Sequence, residues 1–329
     1  MPTVDFRCNI CGTANKVDPA ALSRDESSCT ACGSNVRLRA LMNALVLELF
    51  GSPQALPDLP VMKSIRGVGT SDNPGCAAIL ETRFDYRNTF YHQEPRLDVS
   101  KPPPETGTCD FVICSDVLEH VSPPVGPSFS NLRALLKPHG FLAMTVPYSL
   151  EESTREHFPE IHEFSLVTAG GHLALVNRTR GGEWQVFDNL VFHGGRGATL
   201  EMRLFSERDL RRHLADAGFS RVEFAVEEYP PFGIVHRGPW GLPLIAGNDP
   251  FRLSRAAVTE LIERYAGLQA ECAERTDWAL QLDREAKVQS AEMARLAEEL
   301  NSARFRNASW EASRWIHLGR ALGLGPKVR

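Results

Sequence analysis

Two runs constrain this chain most: CDFVICS at 109–115 and GFLAMTVPY at 140–148. Each is a short, nearly unbroken apolar stretch, the pattern of a strand buried on both faces. Between them, SFSNLRALLKPHG reads as a helix ended by Pro138 and Gly140. From Val61 to Glu228 similar β-like runs alternate with helical segments, which defines an α/β layer fold. ALVNRT and WQVFDNL read as a hairpin across RGG. FSERDLRRHLADAGF reads as a helix with Ser206 as N-cap, Glu207 and Asp209 in its first turn and Gly218 at its end. SRVEFAVEEY follows as another strand.

The flanks differ from this block. The first 35 residues are polar and cysteine-paired, too few to bury a core unaided. Val36–Phe50 has helical apolar spacing at Leu38, Leu41, Leu45 and Leu49, and GSPQALPDLP then breaks the helix. Residues 252–304 place apolar or small residues at Leu261, Tyr265, Leu268, Cys272, Ala279, Leu282, Ala286, Met293, Leu296 and Leu300, interrupted by Arg275 and Gln289. That 3–4 spacing fits a long coiled-coil-like helix, packed on its own domain or forming a homodimer. The expected segments are 1–35, 36–60 (connecting helix and linker), 61–235, 236–251 (linker), 252–304 and a basic tail at 305–329.

CNIC and CTAC place Cys8, Cys11, Cys29 and Cys32 as two CxxC pairs 17 residues apart, each followed by glycine. Thiolates at i and i+3 around a tight turn point the same way, and two such knuckles supply the four soft ligands of tetrahedral zinc. Four cysteines complete the coordination, so the expected zinc ribbon is structural, and metal binding supplies folding energy to a short segment. Such ribbons dock nucleic acid, protein or their own neighbouring domain; Arg37 and Arg39 beside the site leave a nucleic-acid role open. A net charge of −5 and a pI near 6.1 argue against a chain held mainly to a nucleic-acid backbone. The sequence has no long apolar membrane span and no basic-then-apolar leader, and reads as cytoplasmic.

The most informative stretch is GTCDFVICSDVLEHVSPP followed by SNLRALLKPHGFLAMTVPY. Ligands of open α/β sheets bind beyond the carboxyl ends of the strands, where the SDVLEHV loop falls. This block resembles the class I S-adenosylmethionine-dependent methyltransferases in its strand-loop, FD.V....VLEHV, and in its LLKPHG turn. The resemblance covers roughly residues 61–228. It implies a Rossmann-like seven-stranded sheet, here preceded by the zinc ribbon and followed by the long helix. It also implies S-adenosylmethionine as cofactor. In SIRGVGTSDNP at 64–74, Gly67 and Gly69 match the first two glycines of the family loop. Ser71 or Asp72 stands at the third, and the acid that normally precedes the first is missing; Asp72 is the candidate to take its role. Glu94 is the candidate for the ribose hydroxyls, Asp98 for the adenine contact, and Asp116 and His120 line the cleft near the transferred methyl. The wider pattern is similar to a bacterial subgroup associated with polysaccharide and glycan assembly, and RTDWALQLDRE resembles segments found near glycosyltransferase modules.

Methyl transfer to a hydroxyl needs alignment and a proton acceptor. REHFPEIHEF offers His157, Glu160 and His162, and VFHGGRG offers His193. The leading expectation is O-methylation of a sugar, glycan or other small molecule. The alternatives are an RNA methyltransferase gripping its substrate with the ribbon, and a non-catalytic cofactor-binding or scaffold protein.

Overall fold

The computed structural model describes residues 3–193 and 199–324. The chain divides into two units, Met1–Leu261 and Ile262–Arg329.

In the first unit β1 (Val4–Arg7) and β2 (Ala14–Val17) form an antiparallel hairpin, and α1 (Val36–Phe50) follows. The Asn35 side chain caps α1 by accepting from the Leu38 amide, and Gly51 ends it at φ 72°. Next come β3 (Met62–Thr70), α2 (Pro74–Arg83), β4 (Phe84–Thr89), β5 (Cys109–Ser115), α3 (Gly126–Leu135) and β6 (Leu136–Thr145). Short strands β7 (Tyr148–Ser149) and β8 (Arg155–Glu156) precede a three-stranded antiparallel sheet of β9 (Glu163–Ala169), β10 (His172–Arg178) and β11 (Trp184–Phe187). β12 (Phe192–His193), β13 (Thr199–Leu200), β14 (Arg203–Ser206), α4 (Glu207–Asp216), β15 (Arg221–Phe224) and β16 (Leu244–Gly247) complete the unit.

The main sheet has the order β15-β16-β6-β5-β3-β4, with β4, β3, β5 and β6 parallel and β16 antiparallel to both of its neighbours, β6 and β15. The chain leaves β3 toward β4 on one side and returns to β5 on the other, so strand order reverses between β3 and β5. β5 alternates between the two faces: Phe111 and Ile113 join the core under α1 and α2, while Val112 and Cys114 join the core under α3 and α4. The first core also takes Phe6, Cys8, Ile10 and Cys29, so the cysteine-paired segment is built into the same interior.

Two expectations are corrected here. Seven strands were expected and the sheet has six among the described residues, because β4 is an edge. After β4 the chain runs through Pro95, Pro102, Pro103 and Pro104, which have no amide hydrogen to give to a ladder. The KPHG turn is not a separate turn: α3 ends at Leu135 and Lys137–Gly140 lie inside β6, bulged so that Cys109 pairs with Leu136 but Phe111 with Phe141. Gly140 is needed there. A β-carbon on it would sit 2.8 Å from the Cys109 carbonyl oxygen and 2.9 Å from that of Asp110.

The hairpin across RGG is β10–β11, and α4 has its expected Ser206 cap, which accepts from the Asp209 amide. In the second unit α5 (Arg255–Glu311) continues from the first, followed by α6 (Arg314–Ala321).

Candidate active site

The carboxyl ends of β3 and β5 flank the point where strand order reverses, and they carry the expected loop residues. Gly67 and Gly69 are not in the loop, however: both lie within β3, paired with Tyr86 and Asn88 of β4 and with Phe111 and Ile113 of β5. Their missing β-carbons are required by the protein's own packing. A β-carbon on Gly67 would enter the Phe111 ring, and one on Gly69 would overlap the Tyr86 hydroxyl and the Asp72 carboxylate. The loop itself begins at Ser71, whose φ of 61° is the left-handed conformation that a third glycine would otherwise take.

Asp72 turns inward. Its backbone is bracketed by the Asn88 side chain, which accepts from the Asp72 amide at 2.9 Å and donates to its carbonyl at 3.0 Å. Tyr86 donates its hydroxyl hydrogen to Oδ2. The other oxygen, Oδ1, is buried without a hydrogen-bond partner. Burial pushes the Asp72 carboxyl up to about 7, against the opposing effects of Tyr86 and Arg37.

Asp116, at φ 51° beyond β5, is buried and gripped from the N-terminal segment. Arg24 donates to its two oxygens at 3.1 and 3.3 Å, and Arg37 Nε lies 3.1 Å from Oδ2. Thr145 donates to Oδ1 at 2.8 Å, and Arg37 also donates to Ser115. Burial would raise the Asp116 carboxyl, but the charges of Arg37 and Arg24 outweigh it and hold it below the usual range.

Two carboxylates expected at the cofactor are elsewhere engaged. Glu94 is exposed and accepts from the Arg96 amide. Asp98 caps its own turn, accepting from the Ser100 amide and hydroxyl, with Lys101 3.6 Å away. In both, the donor lies two residues further along the chain, within the carboxylate's own turn. A cleft of about 560 Å³ runs along the free edge of β4, reaching Gly67, Pro74, Asn88 and Phe90.

Two of the four candidate histidines contact the same segment, residues 200–202. His120 donates from Nδ1–H to the Leu200 carbonyl at 2.9 Å, which fixes that tautomer. His157 donates its amide to the Met202 carbonyl and places Nε2 3.1 Å from Glu201 Oε1. Met202 in turn donates its amide to the Glu119 carbonyl. The segment 200–202 therefore ties the SDVLEHV loop to the loop carrying His157. Arg203 locks the junction, donating to the Leu118 and Val121 carbonyls and to Glu156. His162 does not join them: it is exposed, and only its amide is engaged, with Asn177. The imidazole of His193 lies outside the described residues.

The cysteines converge as expected. The four Sγ atoms lie within 4.8 Å of one another, with Cys8–Cys32 at 3.7 Å and Cys11–Cys29 at 3.6 Å. Zinc–sulfur bonds of about 2.3 Å in a tetrahedron put sulfurs about 3.8 Å apart, so the donor set fits zinc. Burial opposes ionisation of Cys29, but the amides of Cys32 and Ala31 prevail and bring its thiol to about 6; burial pushes Cys8 up to about 12. Beside the cluster Arg39 is fully buried, donating to the Ser34 and Gly233 carbonyls and to Ser28, with its guanidinium 4.6 Å from the centre of the Phe6 ring. None of those groups is a carboxylate. A buried guanidinium needs a counter-charge, and four thiolates around a divalent ion supply a net −2.

Sequence reasoning missed Arg24 and Arg37 as partners of Asp116, and Glu201 as the partner of His157. The pairs are 92, 79 and 44 residues apart, and no periodicity or spacing signals them.

A methyltransferase-domain family matches residues 59–223 by sequence profile, just over half of the chain. The chain belongs to that family and is an S-adenosylmethionine-dependent methyltransferase. No curated protein sequence matches it significantly. Among solved structures it is similar to 1,6-didemethyltoxoflavin-N1-methyltransferase of Burkholderia thailandensis, with 15% identity, TM-score 0.35, and 64% of this chain and 79% of that chain covered. It is also similar to CalS10, an amino pentose methyltransferase of Micromonospora echinaspora, at 16% identity and TM-score 0.36, covering 66% and 93%. A methyltransferase of Mesorhizobium loti aligns at 14% identity and TM-score 0.35, covering 58% and 94%.

Proposed function

We propose that this methyltransferase methylates a hydroxyl of a small molecule, a sugar or a glycan. The observation that carries the reading is the His157–Glu201 pair at the loop joined to SDVLEHV. Glu201 accepts from Nε2–H, which fixes the tautomer and leaves Nδ1 as a proton acceptor, the arrangement of a base oriented by a third group. When bound, the cofactor supplies a methyl carbon made electrophilic by its positive sulfur. The chain's residues do the rest: His157 takes the acceptor's hydroxyl proton at Nδ1, and Glu201 stabilises the imidazolium that results. His120, held on the Leu200 carbonyl, positions the same segment.

The residues at the end of β3 fit the cofactor's amino end. The buried, partnerless Oδ1 of Asp72 is an acceptor for an ammonium, replacing the acid missing before Gly67. The four cysteines hold structural zinc, with Arg39 balancing its charge. Against an RNA acceptor, Arg37 and Arg39 face inward, onto Asp116 and the ribbon, rather than toward a polyanion.

A methyl-transfer screen with labelled cofactor over nucleotide sugars, glycans, small hydroxylated molecules and RNA tests this reading. Label is expected on an oxygen of a non-RNA acceptor, with transfer reduced roughly 10²- to 10⁴-fold in His157→Gln. Transfer to RNA alone, or full activity in His157→Gln, would overturn it.

A further inference from the structure

Beyond Leu261 nearly every residue of α5 is exposed, although the helix carries a seam with 3–4 spacing, broken at Arg275 and Gln289. Tyr265, Leu268, Met293 and Leu300 are all at least half exposed. A single helix exposing such a stripe to water gains nothing from burying it, and isolated helices are marginal even with favourable residues. The seam therefore calls for another helix, and its sequence says which.

We propose that α5 pairs with α5 of a second copy of this chain, in antiparallel orientation and with one register. Setting Tyr265 against Leu296 of the second copy also sets Leu268 against Met293. The same register faces Arg275 with Ala286 and Ala279 with Leu282. Large residues meet large ones at the ends, and each bulky or charged residue near the centre meets an alanine. Cys272 faces Gln289. The paired stretch, Tyr265–Leu296, is about 47 Å long at 1.5 Å per residue.

Charge supports this orientation. Beside the seam Arg264 faces Glu299 of the second copy, twice by symmetry. Glu271 faces Glu292, but each already has an arginine on its own helix: Arg275 at 2.5 Å and Arg295 at 2.7 Å. A parallel pair in register would instead place Arg275 on Arg275 within the seam and Ala279 on Ala279, joining like charges and leaving a gap. The proposal concerns assembly and is independent of the acceptor.

Cys272 provides the test, because it is the exposed cysteine of the described chain. In the antiparallel register two copies of Cys272 lie about 25 Å apart along the axis, while Cys272 touches position 289. Zinc-loaded full-length chain is analysed by sedimentation equilibrium and treated with a short bifunctional maleimide, alongside Gln289→Cys and Leu282→Lys. The expected results are twice the 36.5 kDa chain mass for the unmodified chain, cross-linked dimer in Gln289→Cys but not without it, and half that mass in Leu282→Lys. Cross-linking through Cys272 alone would show a parallel seam and overturn the proposal. A monomeric unmodified chain, any larger assembly, or no cross-link in Gln289→Cys would overturn it as well.

Discussion

Replacing Asp72 by asparagine removes a charge that the fold holds at a cost, and the cost has a defined pH window. The carboxyl sits at about 7 in the folded chain against 3.8 for an unperturbed aspartate, chiefly through burial. The folded state thus binds the proton more tightly than the unfolded chain. Stability is fully present below about pH 4, declines as the pH rises, and is fully reduced above about pH 7. At 1.36 kcal/mol per tenfold in proton affinity, the full window corresponds to about 4 kcal/mol. Water entering the loop would reduce it, so this is an upper value. Asp72→Asn keeps the shape, leaves Tyr86 an oxygen to donate to, and never ionises. Urea unfolding of both proteins at a series of pH values from 5 to 8.5 reads the effect. The stability difference in favour of Asp72→Asn should grow by a few kcal/mol across the range. A difference that stays flat would refute the claim that a buried carboxylate, ionising on its own, is held beside Gly69.

Three further outcomes follow from the same geometry. Gly140→Ala should destabilise by about 1–3 kcal/mol in urea unfolding, since its β-carbon would meet two backbone carbonyls that cannot turn away. Arg39→Met should lower zinc retention under chelator challenge and cost about 3–5 kcal/mol of stability, because it leaves the thiolate cluster without its buried cation; metal analysis and thermal unfolding check both. Glu201→Gln should reduce methyl transfer while leaving cofactor binding intact, measured by kcat and by calorimetric titration with S-adenosylhomocysteine.

The local parts of the fold were legible because short-range rules govern them. The Ser206 cap, the span of α1, the β10–β11 hairpin and the alternation of buried strands all follow from residues within one turn or one ladder of each other. The four-cysteine cluster was legible for the same reason. What escaped was set by tertiary contact. Gly67 and Gly69 read as a loop because glycine pairs usually mark one; here the rings of Phe111 and Tyr86 fill the space, and the strand continues to Thr70. Glu94 and Asp98 accept from amides two residues on in their own turns, a local engagement that spacing alone does not announce. The lost seventh strand could have been suspected from the PPP run at 102–104. Arg24 on Asp116 and Glu201 on His157 could not, since only the folded chain brings them together.

The packing also changes which variant can test the cofactor site. Gly67→Val would lose binding merely by displacing Phe111, so it cannot distinguish a cofactor loop from an ordinary strand. Asp72→Asn leaves the packing in place and can. The most direct measurement is therefore a calorimetric titration of the zinc-loaded full-length chain with S-adenosylhomocysteine at pH 8, beside Asp72→Asn. One site per chain is predicted, weakened roughly tenfold or more in the variant by loss of a charge-assisted hydrogen bond. Absence of binding to the unmodified chain, or equal affinity in the two proteins, would contradict the account of this site.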